Sequence, residues 1–146
     1  MTNGKKFFIM ENMYEVRVTA DFAAAHFLRD YNGKCENLHG HNYKVYVHVR
    51  GEKLNEGGML LDFTLLKASL REVIGKLDHT NLNDLEYFEQ NPSAERIATY
   101  IYKKIIDLMS AKGTDLSYST GKKDAVLYAV DVFETDSSRA RYIPYP

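Results

Sequence analysis

The feature that most constrains the fold is a strict alternation of apolar and polar residues over positions 41–50. The apolar positions of this segment are Tyr43, Val45, Val47 and Val49. A period of two residues is typical of a strand with one buried face. Residues 14–23 alternate in the same way, and the turn-forming pair Asn32 and Gly33 lies between the two segments. The sequence therefore predicts two antiparallel strands joined by a long loop.

Two amphipathic helices are predicted after these strands. Asp62 can cap the first helix, and Asn91 followed by Pro92 resembles the N-cap and first residue of the second, which should end near Ser110. The first apolar stripe comprises Phe63, Leu66, Leu70, Val73, Ile74 and Leu77, and the second Ala94, Ile97, Ala98, Ile101, Ile105 and Leu108. Spacings of three and four residues place each stripe on one helix face, which we expect to pack against a sheet.

The C-terminal part predicts a loop over residues 111–124 and two more strands, over residues 125–134 and 139–143, around a turn at 136–138. The order of elements is then ββααββ, which indicates an α+β domain with an antiparallel four-stranded sheet and two helices on one face. A length of 146 residues fits one domain covering positions 1–146.

Composition excludes several classes of function. The 19 Lys and Arg residues balance 20 Asp and Glu residues, so we expect no nucleic-acid partner. Charged residues interrupt every apolar run, which predicts no membrane span. Cys35 is the single cysteine, and residues 5–11 lack the apolar stretch of a secretion signal. We therefore expect a reducing, cytoplasmic location.

Three histidines are candidates for a metal site. His39 and His41 are two residues apart, so an extended backbone points both to one side, and His26 ends the strand predicted to pair with theirs. Three neutral nitrogens with one open position form the ligand set of a catalytic zinc. The alternative is a turn with surface histidines, and the spacing alone leaves both interpretations open.

Two further elements carry potential proton-transfer groups. Cys35 precedes His39 by four residues, where a nearby cation would favour the thiolate, although a lone cysteine can also be a small apolar loop residue. Asp78 and His79 follow the first predicted helix and could form a carboxylate–imidazole relay. Neighbours in sequence need not touch, so adjacency alone is weak evidence for a relay.

Taken together, these motifs carry a resemblance. In order along the chain they are Phe22-Ala-Ala-Ala-His26, Cys35-Glu-Asn-Leu-His39-Gly-His41, Leu61-Asp-Phe63, Leu77-Asp-His79, Asn91-Pro-Ser-Ala-Glu95 and Phe133-Glu-Thr135. Over about residues 14–142 the chain resembles the 6-pyruvoyl/6-carboxy-tetrahydropterin synthase family. The spacing Cys-x3-His-Gly-His with an upstream histidine is the most distinctive part.

The resemblance implies the tunnelling fold, in which three subunits close their sheets into a barrel and two trimers stack as a homohexamer with interfacial active sites. It implies Zn²⁺ bound by His26, His39 and His41. Cys35 would be the general base, and Asp78 with His79 would complete the proton relay.

The resemblance also implies a pterin site. Glu134 would hold the ring, since a carboxylate can accept adjacent N–H donors in a bidentate pair. Ser93 and Glu95 match a family segment near the pterin pocket, but they could equally be the cap and first-turn residues of a helix.

The implied substrate is 7,8-dihydroneopterin triphosphate, converted without a redox cofactor. The segments beginning at His41 and Leu77 look like bacterial enzymes that form 6-carboxy-5,6,7,8-tetrahydropterin, acetaldehyde and triphosphate on the queuosine and deazapurine route. Animal-type members instead form 6-pyruvoyl-tetrahydropterin. Glu36 creates the pattern Glu-x2-His-Gly-His, typical of members that cleave dihydroneopterin to 6-hydroxymethyl-dihydropterin for folate synthesis, so it is an alternative base. A catalytically silent zinc- or pterin-binding module is the non-enzyme alternative.

Overall fold

The computed structural model of the chain describes residues 12–30, 32–89 and 91–144. The segment 5–11, on which the expectation of no secretion signal rests, lies outside these residues. Strands β1 (Tyr14–His26) and β2 (His39–Gly51) pair antiparallel along their whole length. The predicted strand pair is confirmed, and it extends far enough to place His26 directly opposite His39.

Helix α1 (Phe63–Gly75) begins after Asp62, whose carboxylate accepts a 2.8 Å hydrogen bond from the Thr64 amide. This confirms the predicted cap. The stripe residues from Leu66 to Leu77 are buried as expected. The prediction for Phe63 is wrong, because this side chain is 45% exposed: it is the first residue of the helix and lies at the rim of the packed face.

Helix α2 (Ala94–Ala111) begins later than the sequence predicts. Ser93 is the N-cap, since its hydroxyl accepts a hydrogen bond from the Arg96 amide at 3.3 Å. The Asn91 side chain instead accepts from the Arg29 amide at 3.0 Å, across the molecule. Pro92 therefore precedes the cap, and its carbonyl can accept a hydrogen bond from outside the helix.

The sheet has one more strand than predicted. Strands β4 (Val126–Thr135) and β5 (Ser138–Tyr142) complete an antiparallel four-stranded sheet with β1 and β2, as expected. A two-residue strand β3 (Thr80–Asn81) adds in parallel to β1 at Ala24 and Ala25, giving the order β3-β1-β2-β4-β5. Two residues cannot display a period of two, so the sequence pattern could not reveal this strand.

The two helices cover one face of the sheet, and the core lies between these layers. The alternating residues of β2 identified in the sequence are all fully buried in it. The stretch between α2 and β4 is irregular, as predicted, but Leu116 is anchored in the core. Among the helices within the described ranges, none is long and apolar enough to cross a membrane.

Candidate metal and substrate site

Three histidines converge where β1 ends and β2 begins. His26 is the last residue of β1, and His39 and His41 open β2 on the same side of the sheet. The ring centroids are 4.6 Å apart for His26 and His39, 5.0 Å for His26 and His41, and 4.8 Å for His39 and His41. One nitrogen from each ring lies within 4.8 Å of the others. The predicted convergence is confirmed, and the spacing suits a single ion.

Backbone carbonyls orient two of the rings. Nδ1 of His26 lies 2.8 Å from the carbonyl oxygen of Pro92, and Nδ1 of His39 lies 2.6 Å from that of Asn37. A carbonyl can only accept, so each Nδ1 carries the hydrogen and each Nε2 keeps a free lone pair. Such outer hydrogen bonds are how proteins fix the tautomer of metal-binding histidines.

Two of the three imidazoles have an Nε2 atom without a partner within the described residues. Nε2 of His26 and Nε2 of His41 are buried without a hydrogen-bond partner there. Burial lowers the pKa of both imidazoles, although the nearby Glu134 carboxylate acts in the opposite direction. Lower pKa values keep the rings neutral, which is the form that binds a metal. Three clustered imidazoles, two of them with an unpartnered Nε2, therefore fit a divalent ion that prefers nitrogen, such as zinc.

Glu134 links the histidines to an adjacent cavity. Its Oε1 lies 3.8 Å from Nε2 of His26. The cavity has a volume of about 240 Å³ and is lined by Leu28, Cys35, Ser93, Ala94, Glu95, Glu134, Ser138, Arg139 and Ala140. Four residues that the sequence analysis assigned to catalysis or pterin binding, Cys35, Ser93, Glu95 and Glu134, thus line one cavity beside the histidine cluster.

Hydrogen bonds hold the loop that carries Cys35. The Leu28 amide donates a 2.7 Å hydrogen bond to the Cys35 carbonyl, which ties the short 3₁₀ turn Lys34–Glu36 to the end of β1. The Cys35 side chain is half-buried. Glu36, the alternative base, is exposed, and its carboxylate accepts a 2.9 Å hydrogen bond from the Asn32 amide. Glu36 therefore stabilises the turn that presents the thiol.

Ser93 and Glu95 lie at the start of α2. The sequence analysis gave these positions, a helix cap and a first-turn residue, as the alternative to a pterin contact. Ser93 caps α2, and Glu95 is an exposed residue of its first turn. Both also line the cavity with Cys35. Capping therefore accounts for the Ser93 hydroxyl, and a contact with pterin stays a prediction for both residues.

Asp78 and His79 form the predicted carboxylate–imidazole pair, but Asp78 does not line the cavity that contains Cys35. His79 Nδ1 lies 2.9 Å from an Asp78 oxygen, and the Ala23 amide donates to the other oxygen at 2.9 Å. The hydrogen bond from Ala23 lowers the pKa of Asp78. The His79 side chain is 83% exposed, and Asp78 lines a separate cavity of about 470 Å³ that also includes Asn42 and Lys44. Within one chain, Asp78 and Cys35 thus line different cavities.

Sequence reasoning missed Tyr43 as a site residue, because its place in the alternation indicated only the core. The side chain is fully buried and stacks on Phe22 at 4.7 Å. Its ring centroid lies 5.4 Å from that of His41 and 5.8 Å from that of His26. Its hydroxyl has no hydrogen-bond partner among the described residues. Burial, with a contribution from Glu134, raises the pKa of Tyr43 well above its ordinary value.

His48 does not belong to the cluster. It lies on the sheet face that the helices leave uncovered, with Nε2 2.7 Å from Asp131 and Nδ1 3.0 Å from Glu15. Arg141 binds the same Asp131 carboxylate through two nitrogens, at 2.6 and 2.9 Å. These contacts tie the strands of the uncovered face together, so His48 has a structural role.

Comparisons with known proteins agree on one family. The model of the family described as 6-pyruvoyl tetrahydropterin synthase matches residues 15–144. A 6-carboxy-5,6,7,8-tetrahydropterin synthase from Synechocystis is 37% identical over 126 residues, which are 83% of this chain and 86% of that protein. A 6-pyruvoyl tetrahydrobiopterin synthase from Drosophila melanogaster is 41% identical over 120 residues, 78% of this chain and 64% of that protein.

Solved structures give the same result for the fold. The 6-pyruvoyl tetrahydropterin synthase of Caenorhabditis elegans superposes with a TM-score of 0.75 at 30% identity, covering 92% of this chain and 97% of that one. The superposition confirms the subunit fold that the sequence motifs imply, with two helices on one face of the sheet.

Proposed function

The chain belongs to the 6-pyruvoyl tetrahydropterin synthase family, and we propose that it is a zinc-dependent lyase that converts 7,8-dihydroneopterin triphosphate to 6-carboxy-5,6,7,8-tetrahydropterin, acetaldehyde and triphosphate. Its place would be the queuosine and deazapurine route. The observation that carries this proposal is the cluster of His26, His39 and His41 beside a cavity that Cys35 and Glu134 line. Two of the three rings have an Nε2 atom without a hydrogen-bond partner among the described residues.

Zinc is the metal that this donor set favours. His26, His39 and His41 would supply three imidazole nitrogens and leave a position for substrate. When bound, the ion would act as a Lewis acid toward oxygens of the substrate side chain.

The residues of the chain divide the remaining work. Glu134 pairs with the adjacent N–H donors of the pterin ring and fixes the ring in the cavity. Cys35, in the same cavity, removes a proton from the substrate side chain as a thiolate. The Asp78–His79 pair accepts and returns protons, and its exposure leaves it free to serve a site other than that of its own chain.

We propose a homohexamer, two stacked trimers with active sites between subunits. Strand β3 covers only Ala24 and Ala25 of β1, so the edge of β1 before these residues has no strand neighbour within the described part of the chain. Strand β5 forms the opposite edge of the sheet. Open edges invite pairing with another chain, and rotational symmetry closes such pairs into a ring.

Solution scattering should therefore give a mass near six times the 16.8 kDa of one chain. Asp78 and Cys35 line different cavities of one chain, so assembly also offers a means to bring them together. A monomer at working protein concentration would contradict the proposed assembly.

The product distinguishes the branches of the family. The Synechocystis relative favours the 6-carboxy product, and the Drosophila relative, at 41% identity, makes 6-pyruvoyl-tetrahydropterin the second candidate. Glu36 raises a third, cleavage of dihydroneopterin to 6-hydroxymethyl-dihydropterin, alone or as a dual activity.

Incubating the metal-loaded protein with 7,8-dihydroneopterin triphosphate should release acetaldehyde and 6-carboxy-5,6,7,8-tetrahydropterin in equal amounts. Chromatography of the pterins with a separate acetaldehyde assay measures both. A 6-pyruvoyl product without acetaldehyde would replace this proposal by the second candidate. Unchanged substrate would favour a silent binding module, and metal-stripped protein serves as the control.

A further inference from the structure

Three buried side-chain atoms of the described residues have no hydrogen-bond partner: Nε2 of His26, Nε2 of His41 and the hydroxyl of Tyr43. A metal ion accounts for the two nitrogens, because it binds their lone pairs. It does not account for a phenol hydroxyl, whose proton needs an acceptor. Leaving such a donor unpaired in the interior costs stability, and native proteins keep few of them.

The register of the sheet points to Glu134 as the acceptor for this hydroxyl. The ladder between β2 and β4 ends with Lys44 opposite Phe133, and one more step in the same register would put Tyr43 opposite Glu134, on the face that the histidines share. In the structure the carboxylate leans toward His26, at 3.8 Å, and leaves the hydroxyl unpaired.

We infer that Tyr43 is a positioning residue, whose hydroxyl donates a hydrogen bond to the Glu134 carboxylate once that carboxylate turns to hold a pterin. The inference rests on the proposed function, in which Glu134 accepts N–H groups of the ring. A carboxylate has about four lone-pair sites, so it can accept two donors from the pterin and one from Tyr43 together. The third hydrogen bond fixes the plane of the carboxylate, which a bidentate pair requires.

An unpaired hydroxyl predicts an unusual response to Tyr43→Phe. In the ligand-free protein this change removes no hydrogen bond and keeps the ring, so the Tm should equal or exceed that of the wild type. Zinc content per chain should also stay the same. A pterin without the triphosphate side chain, such as 7,8-dihydropterin, should bind the metal-loaded variant about fivefold more weakly, the usual worth of one hydrogen bond.

A double-mutant cycle tests whether Tyr43 acts through Glu134. Binding of 7,8-dihydropterin is measured for the wild type, Tyr43→Phe, Glu134→Ala and the double variant, all metal-loaded. We expect Glu134→Ala to weaken binding more than Tyr43→Phe does, and Tyr43→Phe to have no further effect once Glu134 is absent. Tyr46→Phe, on the uncovered face of the same strand, is the matched control and should bind like the wild type.

Several outcomes would overturn the inference alone. These are equal binding by Tyr43→Phe and the wild type, an undiminished effect of Tyr43→Phe in the Glu134→Ala background, or a Tm clearly below that of the wild type in the ligand-free variant. If the metal-loaded wild type itself fails to bind the pterin, the proposed function is wrong and the inference fails with it.

Discussion

Replacing His39 with alanine is expected to abolish turnover because it removes the metal. Deleting a hydrogen bond to a metal-binding histidine already weakens metal affinity by about 10- to 100-fold, so loss of a ligand should weaken zinc binding by more than about 100-fold. Metal analysis after dialysis and the product assay should fall together. Circular dichroism should remain unchanged, since His39 is the half-exposed first residue of β2.

The control for this variant is His79→Ala, which removes an exposed histidine outside the cluster. This variant should keep its full zinc content while its turnover falls. Full zinc occupancy in His39→Ala would show that the ligand set is wrong, whatever its activity. Loss of zinc from His79→Ala as well would show that zinc binding is not confined to the three clustered histidines.

The fold could be predicted largely from periodicity, and the differences arise where periodicity carries no information. The alternation in β2 and the stripe of α1 decided the architecture because each buried face repeats at the period of its element. Strand β3 is too short to repeat, and it exists because the chain after α1 runs beside β1, where the His79 amide donates to the Ala23 carbonyl at 2.6 Å. The cap of α2 was misassigned because Asn91 and Ser93 are both good caps, and a tertiary contact between Asn91 and Arg29 decides between them.

The candidate site shows the same division. The sequence could predict that three histidines converge, His26, His39 and His41, because the register of two paired strands fixes their positions. The carbonyls of Pro92 and Asn37, which set the tautomers, carry no sequence signature, since every residue has such a group. The alternation of β2 indicated only that Tyr43 is buried. The sequence pattern is the same whether the hydroxyl of a buried tyrosine has a hydrogen-bond partner or not, so it could not reveal the unpaired hydroxyl. The separation of Asp78 from Cys35 reflects three-dimensional packing that no spacing encodes.

Cys35→Ala should retain zinc and pterin binding yet lose most turnover of 7,8-dihydroneopterin triphosphate. General-base catalysis contributes roughly 10²–10⁴-fold, and we expect a loss of that size in kcat with little change in KM. The geometry favours Cys35 over Glu36, because the half-buried thiol lines the cavity with Glu134. The Glu36 carboxylate is exposed and accepts from the Asn32 amide.

Glu36→Gln is the matched control, since glutamine keeps an oxygen that can accept from Asn32 but cannot act as a base. It should be nearly silent in the triphosphate reaction. If the chain also cleaves dihydroneopterin, and Glu36 is the base for that cleavage, Glu36→Gln should abolish the 6-hydroxymethyl product and spare the 6-carboxy product. The two variants then separate the two chemistries, because each removes one base and leaves the metal, the pterin site and the turn intact. Equal turnover of the triphosphate by Cys35→Ala and the wild type would contradict the thiolate mechanism, even if every zinc measurement agreed with the histidine cluster.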